Sequence, residues 1–169
     1  MNTAERYHDL SCGHRVYRHE SKCAHLHGHN YRIHFTCAPV EGLDPVGRVL
    51  DFSDINTRLC QWTELNWDHK MLIWQEDPWA FELQHLDPTV VILPFNPTAE
   101  NMANYLLNII GPVQLKGTGV VLIKVRIEET RKCSASAFTT IGDASLKQQI
   151  VPELLEGADA IRADAEGRN

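Results

Sequence analysis

The run Cys23-Ala24-His25-Leu26-His27-Gly28-His29-Asn30-Tyr31 places a thiol and three imidazoles at alternate positions. In an extended chain, successive side chains leave on opposite faces, so Cys23, His25, His27 and His29 would share one strand face. Imidazole is the commonest protein ligand for a divalent transition metal, and two histidines at i, i+2 can chelate one ion. Gly28 removes a side chain where the backbone would have to approach a metal or ligand closely. A catalytic zinc site takes three protein ligands and keeps one position open, so a third ligand has to come from another strand. His14, in Leu10-Ser11-Cys12-Gly13-His14-Arg15, is the candidate. The competing reading is a surface run of histidines with no common task.

The rest of the chain has room for such a site. Its 169 residues suffice for one domain with a real core, and 43% hydrophobic with 22% charged residues is a globular composition. A net charge of -6 offers no electrostatic footprint for DNA or RNA, so no nucleic-acid partner is expected. No apolar run approaches the length of a membrane span and no leader is evident, so no membrane partner and a cytoplasmic location are expected. The five cysteines form an odd set without C-x-x-C spacing, which argues against a disulfide framework or a ribbon-type zinc site.

Two strands are expected from about Tyr7 to Tyr17 and from about Asn30 to Val40, joined through the histidine segment. Ser53 reads as the N-cap of a helix with Ile55, Leu59 and Trp62 on one face, followed by Trp67-Asp68-His69 in a loop. The stretch from Trp74 to Asp87 reads as irregular or partly helical, and Thr89 to Phe95 as a short strand. Thr98 caps a second helix that should stop at Gly111-Pro112. Val121 to Glu128 alternates as a half-buried strand, and Cys133 to Thr140 is its hairpin partner. The last stretch, from Ala144, is an amphipathic helix broken by Pro152, then a charged tail that frays. The order implies an α+β layer arrangement, with an antiparallel β-sheet and two helices on one face.

Six stretches occur in order along the chain: Ser11-Cys12-Gly13-His14-Arg15, Cys23-x3-His27-Gly28-His29-Asn30-Tyr31, Leu50-Asp51-Phe52, Asp68-His69, Asn96-Pro97-Thr98-Ala99-Glu100-Asn101 and Glu129-Thr130. In these the chain resembles the 6-pyruvoyltetrahydropterin synthase and 6-carboxytetrahydropterin synthase family. The short spacing from Cys23 to His27 resembles the bacterial carboxytetrahydropterin branch. The resemblance implies a tunnelling fold (T-fold) over residues 1–142; the C-terminal helical extension and tail over 143–169 run past the point where the family core ends. It also implies oligomerisation into a barrel: a homohexamer built as a dimer of trimers, with sites between subunits.

The implied enzyme is a lyase of 7-deazaguanine and queuosine biosynthesis. It converts 7,8-dihydroneopterin triphosphate to 6-carboxy-5,6,7,8-tetrahydropterin, acetaldehyde and triphosphate. By the same resemblance His14, His27 and His29 bind catalytic zinc, Cys23 is the base, and Asp68-His69 is a proton relay. Glu129 holds the pterin ring, Thr98 lies beside it and Glu100 assists. Zinc as a Lewis acid would acidify the C–H beside the substrate's side-chain hydroxyls. A carboxylate such as Glu129 can accept two parallel N–H bonds from the guanidine-like pterin edge.

Alternatives remain at this level. Cys23 could be a fourth zinc ligand in a closed, structural site. Glu128 competes with Glu129, although strand parity puts Glu129 with the inward apolar set. His25 and His34 share the parity of the ligands without a family role. Arg15, Lys22, Arg131 and Lys132 are candidates for the triphosphate. The activity could instead be a 6-pyruvoyltetrahydropterin synthase, a paralogue with an altered pterin substrate, or non-catalytic zinc or pterin binding. The segment from Met71 to Phe95, with Trp74, Trp79 and Phe81, is longer than the minimal bacterial pattern and has no assigned task.

Overall fold

The computed structural model describes residues 1–166, and the side chains of residues 1–153 and 155. Strands β1 (Ala4–His14) and β2 (His27–Pro39) form a long antiparallel pair. β2 also pairs antiparallel with β5 (Val120–Thr130), and β5 with β6 (Cys133–Phe138). Two short strands, β3 (Met71–Trp74) and β4 (Val91–Leu93), join in parallel beyond β1, giving the order β4-β3-β1-β2-β5-β6. The four long strands therefore make the expected antiparallel sheet. The parallel additions come from the segment that the sequence left without a task.

Period-two alternation decides what each sheet face carries. Leu10, Cys12 and His14 of β1 face inward with Tyr31, Ile33 and Phe35 of β2, and all are buried. Asp9, Arg32, His34 and Glu128 lie on the opposite, polar face, where Asp9 pairs with Arg32 and Glu128 with His34. A bulge opposite Thr36 and Cys37 skips Ile123 of β5 and shifts that strand's parity, so Val125 and Ile127 face the core on one side of it and Leu122 and Val120 on the other.

The helices cover the apolar face. One helical run comprises α1 (Phe52–Ile55), a π-helical turn (Asn56–Cys60) and α2 (Gln61–Trp67). Asp51, not Ser53, caps it: the Asp51 carboxylate accepts from the Ser53 N–H at 2.8 Å, a contact a residue already inside the first turn cannot make. After α3 (Ala80–Leu86), α4 (Ala99–Tyr105) starts under the expected Thr98 cap. The helix does not stop at Gly111-Pro112. It continues through a π-helical turn (Leu106–Ile110) into α5 (Gly111–Gln114). The turn closes with the Gly111 N–H on the Leu106 carbonyl, so Pro112 falls in the first turn of the next segment, where its missing N–H is tolerated. Gly111 is needed for packing, since a Cβ there would lie 2.7 Å from Leu122 Cδ2.

Leu59, Trp67, Met102, Leu106 and Leu107 from these helices meet Ile33, Phe35 and Val125 from the sheet in one core. The final helix α6 (Ile141–Glu166) passes through Pro152 without the expected break. It is tied down earlier, by Lys147 donating to Asn108 Oδ1 and Gln148 to the Val120 carbonyl, both at 2.7 Å. Fraying was expected of the charged tail, whose last residues, 167–169, lie outside the described ones. No helix among the described residues is long and apolar enough to cross a membrane.

Candidate metal centre and adjoining cavity

The register of β1 on β2 sets Cys12 opposite His29, Gly13 opposite Gly28, and His14 opposite His27. The inward parity of His14, His27 and His29 then brings three imidazoles together, with one ligand atom from each inside a 4.8 Å cluster. His14 Nδ1 is 2.7 Å from the Pro97 carbonyl and His27 Nδ1 is 2.8 Å from the His25 carbonyl. A carbonyl only accepts, so both Nδ1 atoms carry the proton and both Nε2 atoms present lone pairs. Those two Nε2 atoms face each other at 3.1 Å. His29 Nε2 is buried with no hydrogen-bond partner among the described residues. Three converging basic nitrogens repel unless a cation or proton lies among them, and the Nδ1–H···O=C contacts are those that orient metal-bound histidines. The residues therefore fit a divalent ion. Burial lowers the pKa of His14 and of His29, and the neighbouring His27 acts in the same direction; the Pro97 carbonyl (for His14) and Glu129 oppose this.

The Cys23 thiol is not part of that cluster, and the extended-run expectation fails here. Strand β2 begins only at His27, and Lys22–Ala24 forms a single 3-10 turn with Cys23 half-buried in it. His25 is exposed in the link between them. The role anticipated for Gly28 also changes. A Cβ there would lie 2.9 Å from the Cys12 carbonyl oxygen, so the glycine permits close approach of two strands on the face away from the imidazoles.

Cys23 borders a cavity of about 190 Å³ together with Thr98, Glu100, Glu129 and Cys133. Glu129 joins the two features, because its Oε1 lies 3.6 Å from His14 Nε2 and 3.7 Å from His29 Nε2. Glu128 points to the other face and contacts His34 at 2.8 Å and Arg126 at 3.0 Å. Thr98 spends its hydroxyl on the helix cap, and Glu100 is exposed in the first turn of α4.

Asp68 and His69 are held beside β1. One Asp68 oxygen accepts from the Ser11 N–H at 2.9 Å and the other from His69 Nδ1 at 2.6 Å. His69 has a left-handed backbone (φ 55°), its N–H donates to the Ser11 carbonyl, and its ring is 83% exposed. The ring borders a polar-face groove with Ser11, Asn30 and Arg32. Within one chain, the Asp68-His69 pair and the Cys23 thiol open onto different cavities. Arg15, a candidate for phosphate, is instead buried against Asp77.

Sequence reasoning missed the groups that hold the site. Asn96 clamps the chain after β1 by accepting from the Tyr17 N–H at 3.0 Å and donating to the Tyr17 carbonyl at 2.8 Å. Pro97 then presents its carbonyl to His14. Both belong to the Asn96-Asn101 motif, in which the sequence points only to Thr98 and Glu100.

Comparison with known proteins accords with this geometry. Residues 3–139 match the family described as 6-pyruvoyl tetrahydropterin synthase. A protein of Rickettsia bellii named 6-carboxy-5,6,7,8-tetrahydropterin synthase is 33% identical over 127 residues, covering 74% of this chain and 91% of the relative. A protein of Halobacterium salinarum named as a probable 6-carboxy-5,6,7,8-tetrahydropterin synthase is 35% identical over 96 residues, covering 55% of this chain and 59% of the relative. Among solved structures, an uncharacterized protein from Wolinella succinogenes superimposes with TM-score 0.71 at 23% identity, covering 82% of this chain and 98% of the other. The Caenorhabditis elegans 6-pyruvoyl tetrahydropterin synthase gives 0.52 at 24% identity, covering 82% and 96%, so the fold is the tunnelling fold. With 137 consecutive residues under the family model and curated relatives at this identity, the chain belongs to the 6-pyruvoyl tetrahydropterin synthase family.

Proposed function

We propose that the chain is a zinc-dependent 6-carboxy-5,6,7,8-tetrahydropterin synthase acting on 7,8-dihydroneopterin triphosphate. The observation that carries this reading is the convergence of three imidazole nitrogens beside a cavity bordered by a thiol and a carboxylate. The names of the curated relatives support the carboxytetrahydropterin product. His14, His27 and His29 would hold the ion. Bound there, zinc supplies a Lewis acid for the hydroxyl oxygens of the substrate side chain.

The chain's own residues have the remaining tasks. Glu129 accepts the pterin N–H edge and fixes the ring. Cys23 removes the side-chain proton from within the same cavity. Asp68 fixes the orientation of the His69 ring through its 2.6 Å contact, leaving Nε2 to exchange protons. In the absence of a shared cavity within one chain, the relay pair serves the thiol of a neighbouring subunit, in a barrel-forming homohexamer. The exposed sheet edges at β4 and β6 suit such assembly.

Incubating the zinc-loaded protein with dihydroneopterin triphosphate and identifying the pterin by mass spectrometry tests the reading. 6-Carboxytetrahydropterin with acetaldehyde is expected. A 6-pyruvoyl product would reassign the activity within the family, and no pterin product at all would reject it.

A further inference from the structure

The turn that carries Cys23 has little of its own to hold it. None of its residues is buried, and no side chain caps it. Two consecutive carbonyls anchor it from outside: the Val16 N–H donates to Cys23 O at 2.8 Å, and Arg15 Nε donates to Ala24 O at 2.7 Å. Arg15 is itself positioned by the segment that joins β3 to α3. Its Nη1 donates to Asp77 Oδ1 at 2.5 Å, and its guanidinium lies 3.7 Å over the Trp79 ring.

Asp77 is wholly buried, and its Oδ1 also accepts from the Trp79 N–H at 2.9 Å. Its Oδ2 is buried without a partner among the described residues. A buried carboxylate with one oxygen unsatisfied is an unfavourable way to fasten a loop, and an apolar contact would serve as well. What an apolar contact cannot do is orient a planar guanidinium so that one N–H meets a chosen carbonyl.

We infer that Asp77, with Trp79, is a positioning residue for Cys23: it holds Arg15 so that Arg15 fixes the Ala24 carbonyl and sets the thiol on the cavity. This gives the 71–95 segment a task in the reaction, and it rests on the reading of Cys23 as the base. The linkage is a chain of direct contacts, Asp77 to Arg15 to Ala24.

The test uses the full-length zinc-loaded protein carrying Asp77→Asn or Trp79→Leu. Asp77→Asn keeps the shape and the acceptor for the Trp79 N–H but removes the charge. Trp79 is 44% exposed, so its replacement leaves the fold intact if the Asn variant fails to fold. Bound zinc and KM should stay within about two-fold while kcat falls by about 10- to 100-fold for Asp77→Asn and less for Trp79→Leu, as expected of a misplaced reacting group. The iodoacetamide labelling rate of Cys23, measured against exposed Cys133 in the same molecule, should change several-fold in both variants. Unchanged kcat and unchanged Cys23 labelling in the variants that fold would overturn the inference and leave the pair a fastening for the segment. Cys23→Ala is the separate control: retained turnover there would reject Cys23 as the base, whatever Asp77 does.

Discussion

His14 and His27 stand directly opposite each other across the β1–β2 ladder, and their Nε2 atoms are 3.1 Å apart with both Nδ1 atoms committed to backbone carbonyls. Two lone pairs do not hold that distance on their own account, so the pair is preorganised for a cation. Replacing His14 or His27 with Ala should therefore abolish metal retention, checked by elemental analysis of the purified protein. His14→Ala should also lower stability in urea by about 1–3 kcal/mol, because it strands the buried Pro97 carbonyl. Metal bound at full stoichiometry in either variant would contradict this geometry.

Gly28 sets the spacing of those strands. Gly28→Ala would bring a Cβ to 2.9 Å from the Cys12 carbonyl and force β1 away from β2 next to the His14–His27 pair. Urea unfolding should show a loss of about 1–3 kcal/mol, the usual range for overpacking. Metal affinity should fall with it, read by competition with a chromophoric chelator.

Glu129 and Cys23 should separate binding from chemistry. Glu129→Gln weakens the charge-assisted contact to the pterin by about 1.5–3 kcal/mol, which appears as a rise of about 10- to 150-fold in KM. Cys23→Ala should reduce kcat by at least about 100-fold, the range for a lost general base, while zinc stays bound. Loss of zinc from Cys23→Ala would instead make the thiol a fourth ligand.

The thiol and the relay pair should complement each other between chains. Cys23→Ala and His69→Ala are each expected to be inactive as pure assemblies. Co-expressed in one cell, they should form mixed assemblies that regain part of the activity, measured after tandem-tag purification. No recovery in verified mixed assemblies would place both groups in the same subunit's site.

Alkaline stability should follow the buried thiols. Burial, aided by the charge of Asp68, raises Cys12 from the ordinary 9.0 to about 12, and burial, aided by Cys60, does the same for Cys37. A raised thiol pKa favours the neutral folded form, so this stabilisation is complete below pH 9.0 and is lost as pH rises through about 12. Thiolate absorbance should therefore appear later in the native protein than in denaturant. Coincident titrations would show these cysteines to be solvent-accessible.

Local patterns carried much of this molecule. Alternation placed His27 and His29 on one strand face and Glu129 with the inward apolar set, because strand parity is a property of consecutive residues. The Thr98 cap was legible for the same reason. His34, read with the parity of the ligands, lies instead on the opposite face against Glu128, because it stands an odd number of positions along β2 from His29. Elsewhere local reading misled. Gly111-Pro112 looks like a terminus, yet packing of Gly111 on Leu122 and a π-helical turn carry the helix onward. Cys23 looks like a strand residue, yet Arg15 and Val16 hold it in a turn.

By itself, the sequence determined which residues are candidates for the chemistry and, within a regular strand, which of them share a face, since backbone period and residue type are local. Only the tertiary structure decided that His14 meets His27, that Pro97 orients it from 83 residues away, and that Asp77 reaches Arg15 across 62. It also set Asp68-His69 and the Cys23 thiol on different cavities. Those relationships depend on strand register and loop docking, which only the packing of the whole core selects.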